Sequence, residues 1–235
     1  MRAISAADCL NLWERGCRFH PLDQGLLALA AALPDTPYQA LAGWPLGRRN
    51  RALVELRCAC FGSRLVAWVA CPQCNEKLEL EMDVRTLLAA EREQQADDPV
   101  SISGRSYRLP TSHDLARLAG ETDARIAARR LLEACRLEAA GAADYSDEEI
   151  DEIGDRLALA DPMAETRLAL QCAACGNQWV EGLDIGSFLW AEIEARARRL
   201  LMEIHALASA YGWTEDRILT LSEARRAWYV EMVQS

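Results

Sequence analysis

The sequence predicts an α+β fold, mostly helical, in which two short β-hairpins interrupt a series of amphipathic helices. Three observations point there. Apolar residues recur at helical spacing over most of the chain. The period drops to two in two places: Leu65–Ala70 with Leu78–Met82, and Arg167–Leu170 with Trp179–Glu181. Each of those places turns on a Cys-x-x-Cys knuckle, Cys71-Pro72-Gln73-Cys74 in the first and Cys172-Ala173-Ala174-Cys175 in the second.

Taken in order, Ser5 caps a helix running to about Gly16, with Leu10, Leu12, Trp13 and Cys17 on its apolar stripe. Pro21 opens a second helix to about Leu33. After Pro34 and Pro37 come a short helix at Tyr38–Ala42 and a longer one from near Pro45 to Cys60, ended by Gly62. The first hairpin follows, then a short helix at Arg85–Ala90 and a polar linker at Glu91–Asp98. Val100–Leu109 reads as a small hairpin turning at Gly104. Pro110-Thr111 caps a helix to about Leu118, Thr122–Leu137 is amphipathic, and Ser146 with Glu149 forms a capping box. Beyond the second hairpin, helices run from Ser187 to Tyr211, from Thr214 and from Ser222, with Gly212 as the break. The predicted organisation is an N-terminal helical arm (1–62), a first hairpin (63–84), a mostly helical insertion (85–165), a second hairpin (166–186) and a C-terminal helical arm (187–235).

The two knuckles match beyond their cysteines. Asn75 and Gly176 each follow the second Cys, where a tight knuckle needs positive φ. Met82-Asp83-Val84 and Leu183-Asp184-Ile185 stand equally far downstream. Two such half-sites predict one tetrahedral four-thiolate zinc site, with Cys71, Cys74, Cys172 and Cys175 as ligands: a split zinc ribbon. The i, i+3 spacing lets one tight turn present two sulfurs. Closing the 97 residues between Cys74 and Cys172 costs roughly 4 kcal/mol. Four-thiolate zinc binding contributes on the order of 10–16 kcal/mol. Four thiolates leave no open position for substrate, so the zinc is structural. Two other readings stand beside it: thiols packed without metal, and redox chemistry. A redox Cys-x-x-Cys sits at a strand-to-helix junction, whereas both of these lead into strands. Cys58 and Cys60 lie two apart near a helix end and point apart. With Cys9, Cys17 and Cys135 they are expected to be small core residues.

Bulk properties exclude several classes. A net charge of −10 argues against non-specific nucleic-acid binding. There is no apolar signal segment at Met1–Leu10 and no run long enough to span a bilayer, which predicts a cytoplasmic protein. Nine cysteines in that setting favour metal or free thiols over disulfides. His20, His113 and His205 are isolated, and none has a nucleophile and an orienting partner beside it. Acidic clusters at Asp97-Asp98 and Asp147–Asp151 read as linker and helix start, and there is no Gly-rich phosphate loop. No enzymatic activity and no small-molecule substrate are expected. The tail carries Trp213, Arg225, Arg226, Trp228 and Tyr229, aromatic and Arg residues of the kind that anchor protein interfaces. It is expected to bind a protein partner. The alternative is a zinc-ribbon regulator whose Arg-rich helices meet DNA.

Several of these segments together resemble a known family. They are Leu46-Gly47-Arg48-Arg49, Leu56-Arg57 and Phe61-Gly62, then Cys71-Pro72-Gln73-Cys74 with Leu78-Glu79-Leu80 and Asp83. Arg108-Leu109-Pro110-Thr111 with Asp114-Leu115, Leu131-Leu132-Glu133-Ala134-Cys135, the second knuckle and Tyr211-Gly212-Trp213 extend the likeness over most of the chain. The pattern resembles the T4-type baseplate hub assembly chaperones of contractile-tailed phages and phage-like contractile injection systems. That resemblance implies a non-enzymatic assembly factor or component of a contractile tail baseplate, with hub or baseplate proteins as partners.

Overall fold

The computed structural model describes residues 1–89, 99–138 and 145–234. The predicted linker at 91–98 lies outside the described residues. The fold is α+β and mostly helical. Its order is α1 (Ala6–Gly16), α2 (Pro21–Ala32), α3 (Tyr38–Ala42), α4 (Leu46–Phe61), β1 (Arg64–Ala70), β2 (Lys77–Asp83), α5 (Arg85–Ala89), β3 (Val100–Ile102), β4 (Arg105–Tyr107), α6 (Ser112–Leu118), α7 (Ala124–Cys135), α8 (Asp147–Ala160), a 3₁₀ turn (Pro162–Ala164), β5 (Thr166–Gln171), β6 (Gln178–Leu183), α9 (Ile185–Tyr211), α10 (Glu215–Leu219) and α11 (Glu223–Gln234). The strands form three separate antiparallel pairs, β1–β2, β3–β4 and β5–β6. Among the described residues no helix is long and apolar enough to cross a membrane.

The chain divides into two compact units, Met1–Asp35 with Gly186–Ser235, and Thr36–Ile185. Helices α3 and α4, read from sequence as part of the N-terminal arm, therefore belong with the hairpins.

The first unit is wholly helical. Ser5 Oγ accepts the Asp8 N–H at 3.1 Å and caps α1. His20 Nδ1 accepts the Leu22 N–H at 3.3 Å and starts α2. The core carries Leu26, Leu29, Leu189, Ile193, Leu200 and Leu207, all fully buried. Gly16 faces the Trp190 ring with no room for a Cβ. The Cys9 thiol donates to the Ile193 carbonyl at 3.4 Å, consistent with its expected core role. Cys17 departs from expectation. It is exposed, because it stands past the end of α1 at the C-cap, where the helical stripe has run out. Gly212 ends α9 with φ +63°, its N–H reaching the Ala208 carbonyl at 2.9 Å.

In the second unit a core forms between β3–β4, α7 and α8, from Ile102, Tyr107, Leu132, Cys135, Ile153 and Leu157 among others. Two reciprocal capping boxes start its helices, Thr111 with Asp114 and Ser146 with Glu149. Asp114 also takes both ends of the Arg108 guanidinium, at 2.7 and 2.8 Å. Arg108 donates further to the Ala134 carbonyl at 2.8 Å, which ties α6 to the end of α7.

The likeness of the two hairpins is wider than the knuckles. Positions 71, 74 and 83 recur at 172, 175 and 184, a constant offset of 101 residues. The pairing register obeys the same offset: Leu65 lies opposite Met82, and Thr166 opposite Leu183. A helix precedes each hairpin at that offset, α4 and α8, and a helix follows each, α5 and α9. Helix–hairpin–helix is thus present twice.

Candidate metal centre

Each knuckle is built by the same backbone bonds. The Cys71 N–H donates to the Glu76 carbonyl and the Asn75 N–H to the Cys71 carbonyl, both at 2.9 Å. In the second copy the Cys172 N–H donates to Asn177 and the Gly176 N–H to Cys172, again at 2.9 Å. The turn closes only in the left-handed region, with φ +59° at Asn75 and +74° at Gly176. Those are the residues that tolerate it best, as the sequence indicated.

The structure brings all four predicted cysteines together. Their sulfurs lie within 4.8 Å of one another. Cys71 Sγ is 3.7 Å from Cys175 Sγ, and Cys74 Sγ is 3.6 Å from Cys172 Sγ. Tetrahedral zinc with bonds of about 2.3 Å sets its sulfurs ~3.8 Å apart. The donor set therefore fits a tetrahedral thiophilic ion. Disulfides are ruled out by the same distances, since bonded sulfurs sit about 2 Å apart. Cys71 and Cys172 are buried while Cys74 and Cys175 are exposed, so the two halves also match in environment.

The sulfurs perturb one another. Burial opposes ionisation of Cys71, but N–H groups of Cys74 and Gln73 and bonds with Cys175 and Cys74 bring its thiol down to about 6. The Glu76 N–H favours the Cys74 thiolate, yet the other three sulfurs and desolvation push that thiol up to about 12. Like charges this close cannot all ionise side by side. A divalent cation at their centre removes the conflict, because it binds each of them as thiolate.

Little else holds the knuckles. In β1 only Leu65 is buried, and in β6 only Leu183. Trp68 is 66% exposed and Val180 63%. A two-stranded hairpin with so little buried surface is marginal in water. The roots of the hairpins, by contrast, are firmly placed. Arg57, buried in α4, donates to the Gly62 and Arg64 carbonyls at 2.8 Å and fixes the start of β1. The Gly47 N–H of the same helix donates to Asp161 Oδ2 at 2.9 Å. Asn50 Nδ2 donates to the Met163 and Ala164 carbonyls at 2.8 and 3.1 Å, just ahead of β5. One helix thus braces the entry of both hairpins. The bracing roles of Gly47, Asn50 and Asp161 escaped the sequence reading, because partners more than a hundred positions apart leave no local pattern.

Cys58 and Cys60 stay outside the cluster, as expected, though both are half-exposed on α4 rather than in the core. Burial pushes the Cys58 thiol up.

The five tail residues do not share one surface. Trp228 is 67% exposed and Arg225 is exposed, three positions apart on α11. Met232 follows one turn on, 54% exposed. Trp213 and Tyr229 are half-buried and pack on each other instead: their rings lie 5.0 Å apart and edge-on, and Tyr211 stacks on Trp213 at 4.8 Å. Arg226 has to be corrected as a partner residue. It is 3% exposed, its guanidinium donating to Glu203 at 2.9 Å and to the Leu221 carbonyl at 2.6 Å. It faces α9 because the i, i+4 row of α11 that packs there passes through it.

No protein-family model, no curated protein and no solved structure matches the chain.

Proposed function

We propose that the chain is a zinc-containing, non-enzymatic assembly factor or component of a contractile phage tail or phage-like injection-system baseplate. Zinc serves as a structural pin. The observation that carries this is the set of four sulfurs within 4.8 Å of one another, supplied by two hairpins of identical register. All four donors belong to the protein, which leaves a tetrahedral ion no position for substrate. The work then falls to surfaces rather than to a reaction. The surface that fits a protein partner is the exposed side of α11, with Trp228, Met232 and Arg225. Aromatic, Met and Arg side chains are the ones enriched in interface cores. Contractile-tail proteins are named as partners on the strength of the motif resemblance. The reading as a DNA-binding regulator has less support, since Arg226 is committed to Glu203 and only Arg225 of that pair faces water.

Two measurements test the proposal. Metal analysis of the purified chain should find near one zinc per chain, lost in Cys74→Ser and in Cys175→Ser; zinc retained in both variants removes the shared site. A pulldown from the native operon should recover a tail or baseplate protein with the wild type and lose it with Trp228→Ala. Recovery of none would count heavily against the assembly role while leaving the zinc site standing.

A further inference from the structure

The strand edges of the two hairpins are not alike, and one of them is open. In the first hairpin the Cys71 N–H bonds to Glu76 and the Val84 N–H to Ser63. The bonded pairs therefore fall at every second position, through 65/82, 67/80 and 69/78. The backbone N–H and C=O groups of Arg64, Val66, Trp68 and Ala70 consequently point away from β2. The Arg64 carbonyl is taken by the Arg57 guanidinium at 2.8 Å. Those of Val66, Trp68 and Ala70 have no partner among the described residues. Val66 is 41% exposed and Trp68 66%. The opposite edge, on β2, turns out Lys77, Glu79, Glu81 and Asp83 at the equivalent positions, the charged guard that blocks edge pairing. On the second hairpin the outward residues of β5 are Arg167, Ala169 and Gln171, and those of β6 are Gln178, Val180 and Gly182. Each of those edges carries a charge, amides or a glycine. Of these four edges only that of β1 is apolar and unguarded beyond its first residue, Arg64.

We propose that the outer edge of β1 pairs with the same edge of a second copy of this chain, antiparallel and centred on Trp68. The choice of a second copy follows from charge. Between Leu65 and Ala70 there is no ionisable side chain. Centring the two-fold axis on Trp68 sets Trp68 against Trp68 and Val66 against Ala70, so no like charges meet. Val66, Trp68 and Ala70 of each copy then exchange backbone bonds across the axis. The same operation on β2 would set Glu79 against Glu81, which is repulsive. In the β1-paired arrangement the two β2 strands lie three strand spacings apart, ~14 Å, beyond the ~8 Å over which exposed charges act in physiological salt. Pairing also turns two marginal two-stranded hairpins into one four-stranded sheet, the size at which a sheet becomes stable on its own. Trp68, solvent-exposed in one copy, gains an aromatic neighbour in the pair.

The test is sedimentation of the zinc-loaded full chain over a wide concentration range, beside amide exchange at Val66, Trp68 and Ala70. A reversible dimer is expected, with those three amides exchanging more slowly as concentration rises. Val66→Pro removes an outward N–H and leaves the β1–β2 ladder whole. Trp68→Glu alters an exposed side chain and sets like charges across the axis. Each variant should weaken the dimer by about tenfold or more, with zinc content unchanged. A chain that stays monomeric to millimolar concentration overturns the proposal. So does a dimer weakened in neither variant.

Discussion

Asp161 shows what a single buried side chain does for this fold. It is 8% exposed and accepts the Gly47 N–H, and a Cβ at Gly47 would collide with its carboxylate. Burial raises its pKa, with the Gly47 N–H and Arg49 pulling the other way. A carboxyl raised in the folded state costs stability once it ionises. Stability is greatest below the ordinary carboxylate value, about 3.9. It falls as pH climbs through the raised one, then levels off. Asp161→Asn keeps an oxygen for Gly47 and cannot ionise. Its stability relative to wild type should therefore rise between pH of about 3 and 7, as urea midpoints at the two pH values would read. A difference that stays flat or falls would contradict the assignment. Asp114 behaves in the opposite sense. Burial opposes its ionisation, but bonds from Arg108 and Thr111 win and lower its pKa, so its contribution is lost as pH falls through the folded value. The metal ligands were legible residue by residue, because knuckle chemistry is local: two sulfurs, a positive-φ residue and a strand on either side. Asp161 was not, since its partner lies in another helix.

At the scale of elements, the ends of helices were the most legible features. Ser5, Thr111, Ser146 and Thr214 each stand ahead of a helix as read from sequence, because a capping hydroxyl satisfies an N–H only a few positions away. The helix of α9 begins two residues before Ser187, at Ile185, since the strand ladder already closes at Leu183. The far end of α9 is set by Gly212 at φ +63°, beside the Tyr211, Trp213 and Tyr229 rings. Gly212→Ala should cost about 1 kcal/mol, the penalty for a Cβ in the left-handed region, although the space around it is open. Thermal unfolding of the variant checks this; a cost near zero would mean that the chain relaxes at this junction. The tail faces were only half legible. Helical spacing assigns residues to a helix, but which stripe of α11 turns inward depends on α9. That is why Arg226, paired with Glu203, could not be told from exposed Arg225.

At the scale of the molecule, the alternation of period 3.6 and period 2 was enough to give a mostly helical α+β fold with two hairpins. The grouping of helices was not written in it, because partners such as Cys9 and Ile193 are distant in sequence. The metal site is confined to one unit: all four cysteines lie in Thr36–Ile185. Ligand that binds only the folded form stabilises by an amount set by its concentration over its dissociation constant. Raising free zinc should therefore shift the urea transition of amides in Thr36–Ile185 and leave those of α1 and α2 in place. Equal shifts in both would show that the units unfold as one. The constant offset of 101 residues between the half-sites also has a consequence in time. A ribosome adding about 5–20 residues per second releases the second knuckle roughly 5–20 s after the first. Through that interval Cys71 and Cys74 are a two-thiol site open to oxidants and to any passing soft metal. The centre is complete only once the second knuckle has emerged, so the ion that finally occupies it is selected by availability at that later moment.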